Sequence, residues 1–194
     1  MEENNFKIVP VEISARHIHL SADDFAKLFP HLPNLEKDHD LKQPQMFASR
    51  QFVTIVGTND KKLSVRVLGP HRDTTQIELS WSEAHRLGLK PPIKISGDLD
   101  GSVGVTISTP EASLKLTKGL IVAKRHLHID PTTAVAWHLQ EGQIISAEFL
   151  GPRGAILGEI MVRLLPDAKP SLHLDTDEGN AVGIFDSSQA KLLY

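Results

Sequence analysis

The stretch RHIHLSADD, residues 16–24, returns near the middle of the chain as RHLHIDPTT, residues 125–133. Residues two apart on a β-strand point to the same face, so an HxH motif on a strand presents two imidazoles side by side. Imidazole nitrogen is a common ligand of zinc and other first-row metals. The repeat therefore predicts two metal-binding groups: the first histidine pair, His17 with His19, and the second histidine pair, His126 with His128.

Chance is a weak explanation for this repeat. The chain contains ten histidines, so a single HxH is unremarkable, whereas two copies of RHxH are far less expected from composition alone. A second echo supports a duplication, because VRVLGPHR at 65–72 resembles AEFLGPRG at 147–154. We place the boundary between the two copies at LKLTKGL, which predicts β-barrel domains over 1–118 and 119–194, and we leave open an exchange of the first strand into the other barrel.

Composition limits the class of partner. The chain has 194 residues, of which 40% are hydrophobic, and a formal net charge of −3. Such a chain is globular and fits one large domain or two small ones. It lacks the positive field that nucleic acids or anionic membranes attract. We expect a small-molecule partner, with neither nucleic acid nor a membrane, and leave a homo-oligomer open.

Cysteine is absent. This excludes disulfides, a thiolate nucleophile and cysteine-bound zinc, so any metal must be held by histidine and carboxylate. The opening residues MEENNFKIVP lack the apolar core of a secretory signal, and no apolar run approaches membrane-spanning length. We expect a cytoplasmic protein.

Short alternating runs rich in β-branched residues predict a mainly β fold with antiparallel hairpins. Turn signals such as TNDKK, GDLDGS and GPRGA separate these runs. Short helices are predicted at 22–29, 81–88 and 131–139, as caps on barrel ends. The polar, proline-containing segment 30–45 is predicted to be a long loop. Two compact β-barrels capped by short helices would fit these elements and the duplicated sequence.

One local pattern occurs at four helix starts: a polar residue able to bind metal, an aliphatic residue, and a helix N-cap. The aliphatic residue should face the core and the polar residue should face the other way, because strand faces alternate. The caps have capping-box spacing or a close variant of it, except where Pro131 takes the first helical position. The four junctions are His19-Leu20-Ser21, Glu78-Leu79-Ser80, His128-Ile129-Asp130 and His173-Leu174-Asp175.

The two histidine pairs, Glu78 and His173 thus form a set of six candidate ligands, enough for two metals with positions left for substrate. Zinc is the first expectation, although iron, cobalt or nickel suit the same ligands. Glu78 and His173 are equally explained as exposed or hydrogen-bonded strand residues. The remaining histidines lack the junction pattern and are expected at the surface or in loops: His31, His39, His71, His85 and His138.

Arg72 follows a Gly-Pro turn and precedes the strand that carries Glu78. Its guanidinium is a candidate to bind phosphate through two hydrogen bonds. The alternatives are an ordinary exposed turn arginine, or a corresponding role for Arg153 in the second copy.

The chain resembles the PduL-type phosphotransacylases, also called phosphate propanoyltransferases, over nearly its whole length. The resemblance rests on five ordered motifs. They are SARHIHLS (14–21), VRVLGPHRDTTQIELS (65–80), LGLKPPIKISGDLDGS (87–102), RHLHIDP (125–131) and LHLDTDEGNAVG (172–183).

The resemblance implies an acyltransferase of propanediol degradation that interconverts short-chain acyl-CoA plus phosphate with acyl phosphate plus CoA. It implies two similar antiparallel β-barrels capped by short helices, with the active site in the cleft between them. It also implies two Zn²⁺ ions, one on His17, His19 and Glu78, the other on His126, His128 and His173, with Glu78 and Arg72 at the reaction centre. It further implies that Arg72 binds phosphate and that coenzyme A lies near Ser14, Arg66 and Asn180.

Without a cysteine, we expect direct transfer in a ternary complex rather than through an acyl-enzyme. The alternatives left open are a dinuclear metallohydrolase of thioesters or phosphoesters, and a non-catalytic, metal-binding, cupin-like module.

Three positions depart from the family pattern. Ala15 replaces an asparagine, Gln45 a glycine and Gln51 a glutamate, which affects the expected coenzyme A and phosphate pockets. The family often carries an N-terminal helix that directs it into a bacterial microcompartment. Only about ten residues precede the first histidine-pair strand, so we expect a free enzyme.

Overall fold

A computed structural model describes residues 6–184 and 188–194 of the chain. The opening residues MEENN, on which part of the targeting expectation rests, lie outside these ranges. Within them the chain is mainly β with short helices, which confirms the predicted mainly β fold class, but one of the two predicted barrels is closed and the other is an open sheet. No helix of the described part is long and apolar enough to cross a membrane.

The strands, in chain order, are β1 (Ile8–Ile13), β2 (His17–Ser21), β3 (Lys37–Asp40), β4 (Phe47–Val56), β5 (Lys62–Arg72), β6 (Gln76–Glu78), β7 (Ile93–Lys94), β8 (Thr106–Ser108), β9 (Ser113–Lys115), β10 (Leu120–Ala123), β11 (His126–Ile129), β12 (Ile144–Phe149), β13 (Ala155–Leu164), β14 (Ser171–Leu174) and β15 (Gln189–Leu193). The helices are α1 (Ala22–Leu28), α2 (Trp81–Arg86), α3 (Pro131–Ala136) and α4 (Thr176–Val182).

The chain forms two compact units. The barrel unit consists of the described parts of Met1–Ser14 and Lys124–Tyr194, and the sheet unit is Ala15–Ala123. The division lies after Ala123 rather than at 118, because β10 pairs with β6 and β7 of the sheet unit. β1 belongs to the barrel unit, where it pairs with β14 and β15.

The barrel unit is a closed barrel with strand order β1-β14-β11-β13-β12-β15. Alternate residues of its strands, such as Val9 and Val11 on β1, form an apolar core that also includes Leu127, Ile129 and Phe149. Burial of each such side chain contributes about 1.5–3 kcal/mol to folding. This core supports the strands that carry the second histidine pair.

The sheet unit is an open sheet with strand order β7-β10-β6-β2-β5-β4-β8-β9, and β3 pairs with β4. Its core contains Ile18, Leu20, Ile55, Val67 and Ile77, all fully buried. The strand that carries the first histidine pair, β2, lies between β5 and β6 in the interior of this sheet.

Several local expectations are confirmed and others are corrected. TNDKK joins the antiparallel hairpin β4–β5, and GPRGA joins β12–β13. GDLDGS joins no hairpin, because β7 pairs with β10 while β8 pairs with β4 and β9. The segment 30–45 contains the exposed strand β3. The strand pairs β1–β14, β2–β5, β6–β10, β7–β10 and β11–β13 are parallel.

All four predicted helix starts are confirmed. The caps of α2 and α4 form complete capping boxes, with Ser80–Glu83 and Asp175–Glu178. Ser21 accepts from the Asp24 backbone N–H, and Asp130 accepts from the first turn of α3. The aliphatic residue before each cap is buried, as predicted: Leu20, Leu79, Ile129 and Leu174. Each strand therefore ends within two residues of a candidate ligand.

Candidate metal sites

In the barrel unit, the second histidine pair lies on β11 beside the β14 residue His173. The antiparallel register puts His126 opposite His173 and His128 opposite Ser171. One ligand atom from each of His126, His128 and His173 lies within 4.8 Å of the others. Among residues 6–184 and 188–194, this is the one group of three histidine or carboxylate side chains gathered so closely.

Two nitrogens of this triad lie about as far apart as two ligands of a zinc site. Zn–N bonds of about 2.0–2.1 Å in a tetrahedral site put ligand nitrogens roughly 3.4 Å apart. His128 Nδ1 lies 3.2 Å from His173 Nε2, already near that separation. His126 Nδ1 lies 2.9 Å from the Lys124 carbonyl oxygen. A carbonyl only accepts, so Nδ1 carries the proton and Nε2 the lone pair of the neutral ring.

Burial keeps His128 neutral. Its pKa is lowered to about 3, mainly because burial disfavours the charged ring, and also because of the nearby His126 and Arg163. A neutral imidazole binds a metal without first losing a proton. His128 can therefore act as a metal ligand at neutral pH without releasing a proton.

The sheet unit holds the corresponding residues in the corresponding register. His17 on β2 lies opposite Glu78 on β6, and His19 lies opposite Gln76. His17 Nε2 is 3.5 Å from Glu78 Oε2, and both side chains are about nine-tenths buried. His17 Nδ1 lies 2.9 Å from the Ala15 carbonyl oxygen, the same contact that His126 makes two residues back.

His19 provides the fit test for a metal here. The residue is 1% exposed, and its Nδ1 is buried without a hydrogen-bond partner. Burial, Arg72 and His17 together lower its pKa to about 2. An unsatisfied buried polar atom costs about 1–3 kcal/mol, a penalty that a metal bond would remove. His17, His19 and Glu78 are less closely gathered than the barrel-unit triad, since their ligand atoms do not all lie within 4.8 Å.

Arg72 is connected to Glu78 through the buried side chain of Gln76 and the half-buried side chain of Ser96. Arg72 Nη1 donates to Ser96 Oγ at 3.2 Å. Gln76 Nε2 donates to Ser96 Oγ at 2.8 Å and to Glu78 Oε1 at 2.6 Å, and its Oε1 accepts from the Gly97 N–H at 2.8 Å. Burial lowers the pKa of Arg72, and the nearby Glu78 carboxylate opposes that shift. Arg72 is therefore a partly buried cation rather than an exposed turn residue.

Sequence reasoning missed Gln76, Ser96 and Ser171. Ser171 Oγ lies 3.0 Å from His173 Nε2, the third candidate ligand of the barrel unit. Gln76 makes the equivalent contact in the sheet unit, with Glu78. Both residues lie two positions before that third ligand residue. Strand alternation applied backward from Glu78 and His173 would have found them. Ser96 lies in a loop, where no periodic signal identifies it.

The residues that the resemblance assigns to coenzyme A are distributed over both units. In the sheet unit, Arg66 Nη1 donates to Asp38 and to the Ser49 carbonyl, and its guanidinium stacks on the Phe52 ring at 4.8 Å.

In the barrel unit, the Ser14 N–H donates to the Leu174 carbonyl oxygen at 2.7 Å, and Asn180 is exposed on α4. The rival arginine, Arg153, is exposed, and its Nε donates to the Ala181 carbonyl oxygen at the end of α4.

The histidines expected outside the sites lie at exposed positions, apart from one. His31, His39, His85 and His138 are exposed. His71 is partly buried: it packs on Phe25 and lies 3.2 Å from Asn34 Oδ1.

Two of the three departures from the family pattern have a structural context. Gln45 has a φ of 62°, the left-handed conformation in which glycine is favoured. Gln51 is 6% exposed, donates to the Glu36 carboxylate at 2.8 Å and accepts from the Glu36 N–H. A glutamate at 51 would set two carboxylates together. Ala15 contributes its carbonyl to His17, an interaction that any residue supplies.

Gln76→Met tests the buried network. The substitution keeps the side-chain length but leaves Glu78 Oε1, Ser96 Oγ and the Gly97 N–H without Gln76. We expect the free energy of unfolding to fall by about 1–3 kcal/mol, measured by urea denaturation of metal-free protein. Gln189→Met, at an exposed position of β15, is the control and should change it by less than about 0.5 kcal/mol. Equal effects of the two substitutions would contradict the network.

Comparisons with known proteins show which family the chain belongs to. A family model described as phosphate propanoyltransferase matches residues 10–185. The proteins of that name from Escherichia fergusonii and Salmonella typhimurium are 42% and 40% identical to the chain over 184 residues, which is 94% of this chain and 87% of each relative. The one from Clostridioides difficile is 40% identical over 185 residues, 95% of this chain and 88% of the relative. The chain belongs to the phosphate propanoyltransferase family.

Proposed function

We propose that the chain is an acyltransferase that moves a short acyl group, propanoyl or acetyl, between coenzyme A and inorganic phosphate. Acyl-CoA and phosphate become acyl phosphate and free CoA, and the reaction runs in both directions. The observation that carries the proposal is the triad of His126, His128 and His173, in a chain whose relatives are named for phosphate propanoyl transfer.

We infer two zinc ions as cofactors. His126, His128 and His173 would hold one, and His17, His19 and Glu78 the other. Support for the second site is the orphaned Nδ1 of His19 and the 3.5 Å approach of His17 to Glu78. Zinc bound at such sites supplies Lewis acidity, which polarises a thioester carbonyl and stabilises a departing thiolate.

Arg72 would bind and orient phosphate. A guanidinium forms two parallel hydrogen bonds to an oxyanion, and partial burial strengthens those bonds by lowering the local dielectric. Its bond to Ser96 fixes one edge of the guanidinium, so the other donors keep a constant direction. Ser96 and Gln76 thereby couple the position of Arg72 to that of Glu78.

We propose direct transfer in a ternary complex, in which the phosphate oxygen attacks the thioester carbon as the sulfur leaves. The chain has no cysteine to form an acyl-enzyme, and covalent catalysis needs an activated nucleophile beside its base. Arg66, Ser14 and Asn180 are proposed to contact coenzyme A. Stacking on Phe52 leaves the Arg66 cation partly exposed and able to meet a phosphate group of the cofactor.

Thiol release should depend strictly on phosphate. With propanoyl-CoA or acetyl-CoA, a thiol reagent should detect free CoA only when phosphate is present, and hydroxylamine should trap the acyl phosphate as a hydroxamate. Release at an equal rate without phosphate would identify a thioester hydrolase instead. Parallel initial-rate lines at varied acyl-CoA and phosphate, or an isolable acyl-protein, would contradict direct transfer.

Each zinc site should be lost separately. His17→Ala and His128→Ala should each lower the zinc content from about two to about one per chain, because three ligands leave little redundancy. Turnover should fall by at least about 100-fold, a change of about 2.7 kcal/mol in the barrier. Elemental analysis of protein purified without chelator measures the zinc, and circular dichroism checks the fold.

His85→Ala is the control for these variants, because His85 is exposed on α2, and it should keep both ions and full turnover. Full turnover in His17→Ala or His128→Ala would refute the catalytic assignment.

Arg72→Ala should impair the use of phosphate without releasing zinc. We expect kcat/KM for phosphate to fall by about 10²–10³-fold, the usual cost of removing a charged group that stabilises the reacting oxyanion. Zinc per chain should stay at the wild-type value, and Arg86→Ala, at an exposed position on α2, should behave like wild type. Loss of zinc together with activity would mean that Arg72 has a structural role.

A further inference from the structure

The arginines of the two RHxH motifs make matching contacts that the proposed reaction does not use. Arg16 Nη1 lies 2.7 Å from Glu83 Oε1. Arg125 Nε lies 2.7 Å from Glu178 Oε1. The same ion pair therefore occurs once in each unit, between the residue before a histidine pair and a glutamate more than fifty residues further along.

Both glutamates are members of capping boxes. The second carboxylate oxygen of Glu83 accepts from the Ser80 N–H at 3.1 Å, and that of Glu178 accepts from the Asp175 N–H at 3.1 Å. Each carboxylate thus joins an arginine to the N-cap residue of a helix. The cap residue follows the third ligand of its site by two positions.

Each guanidinium also contacts a strand on the opposite side of the histidine pair. Arg16 Nε donates to the Ser64 carbonyl oxygen on β5 at 3.0 Å, and Arg125 Nη1 donates to the Gly158 carbonyl oxygen on β13 at 3.2 Å. The histidine-pair strand lies between these partners, since β2 pairs with β5 and β6, and β11 pairs with β13 and β14. One side chain therefore connects the strand on one side of the histidine-pair strand to the helix that follows the strand on its other side.

The contact is specific to the third-ligand junctions. The helices that follow the histidine pairs themselves, α1 and α3, are capped by Ser21 and Asp130, and among the described residues no arginine side chain is found hydrogen-bonded or ion-paired to either cap. Helix capping alone does not require the arginine. Its recurrence where the third ligand must be brought to the histidine pair points to a role at the metal site.

We propose that Arg16 and Arg125 are positioning residues, which hold the strand ends of Glu78 and His173 against their histidine pairs and so set metal affinity. The proposal rests on the metal sites of the proposed function. The Arg125 side chain is less exposed than that of Arg16: 27% of it is accessible to solvent, against 42% for Arg16. Solvent screens exposed pairs more strongly, so the barrel-unit site should depend more on its arginine.

The experiment isolates one site. In a His17→Ala background, which keeps the barrel-unit ligands, zinc affinity is measured by competition with a chromophoric chelator, and bound Co²⁺ is followed by its visible absorption. Arg125→Met should weaken zinc binding by about 10- to 100-fold, as for groups that orient metal ligands, and should alter the Co²⁺ spectrum. The zinc affinity of Arg125→Lys should lie between those of the background protein and Arg125→Met. Lysine keeps the charge but cannot contact Glu178 and the Gly158 carbonyl at once through two nitrogens.

Two further variants complete the test. Arg86→Met, at an exposed arginine of α2, is the control and should leave zinc affinity unchanged. Glu178→Gln keeps a residue suited to a capping box but removes the ion pair, and should weaken zinc binding in the same direction. Glu178→Gln also replaces Arg125→Met in the test if Arg125→Met does not fold.

If Arg125→Met binds zinc within twofold of the affinity of the background protein, the inference is overturned, while the proposed metal sites are unaffected. The same holds for Glu178→Gln where that variant replaces Arg125→Met. A lower unfolding temperature of zinc-free protein with unchanged affinity in the folded fraction would show a structural role only, and also overturns it. Failure of the background protein itself to bind zinc would overturn both this inference and the proposed cofactor.

Discussion

Antiparallel pairing between two short strands fixes each candidate site. In the sheet unit β2 pairs with β6, and in the barrel unit β11 pairs with β14, and each register sets the first histidine of the pair opposite the third ligand. A slip of one residue would turn every side chain of a strand to the other face. The buried residues Leu20 and Leu79 on one face resist that slip, because it would bring them out of the core. Hydrophobic packing on one face therefore determines the ligand geometry on the other.

The two units differ in how their polar groups are satisfied. In the barrel unit, His128 and His173 contact each other and Ser171 contacts His173. In the sheet unit, Gln76 and Ser96 join Glu78 to Arg72, while His19 Nδ1 is left without a partner. A ligand that binds only the folded state adds to its stability. The sheet unit, with its orphaned nitrogen, thus has more to gain from a bound metal than the barrel unit.

Much of this arrangement could be predicted from the sequence. The repeated RHxH motif, the four caps and the buried aliphatic neighbours depend on short-range spacing, and the structure confirms the caps and the burial. The open sheet, the parallel pairs and strand β3 depend on long-range pairing, which no local pattern specifies. Ser96 was missed for a related reason, because it lies in a loop and its partner Gln76 is twenty positions away. Zinc, coenzyme A contacts and direct transfer stay predictions.

The placement of β1 has a consequence for how the protein is made on the ribosome. β1 leaves the ribosome before the whole of the sheet unit, yet its partners β14 and β15 are among the later elements of the chain. The intervening 109 residues of the sheet unit, Ala15–Ala123, can fold while β1 waits with its backbone hydrogen bonds unmade. Unpaired strands of this kind are prone to associate with other chains. Barrel closure must therefore wait until β14 and β15 have been synthesised, and a nascent chain stalled after the sheet unit would expose β1 as an unpaired strand able to associate with other chains.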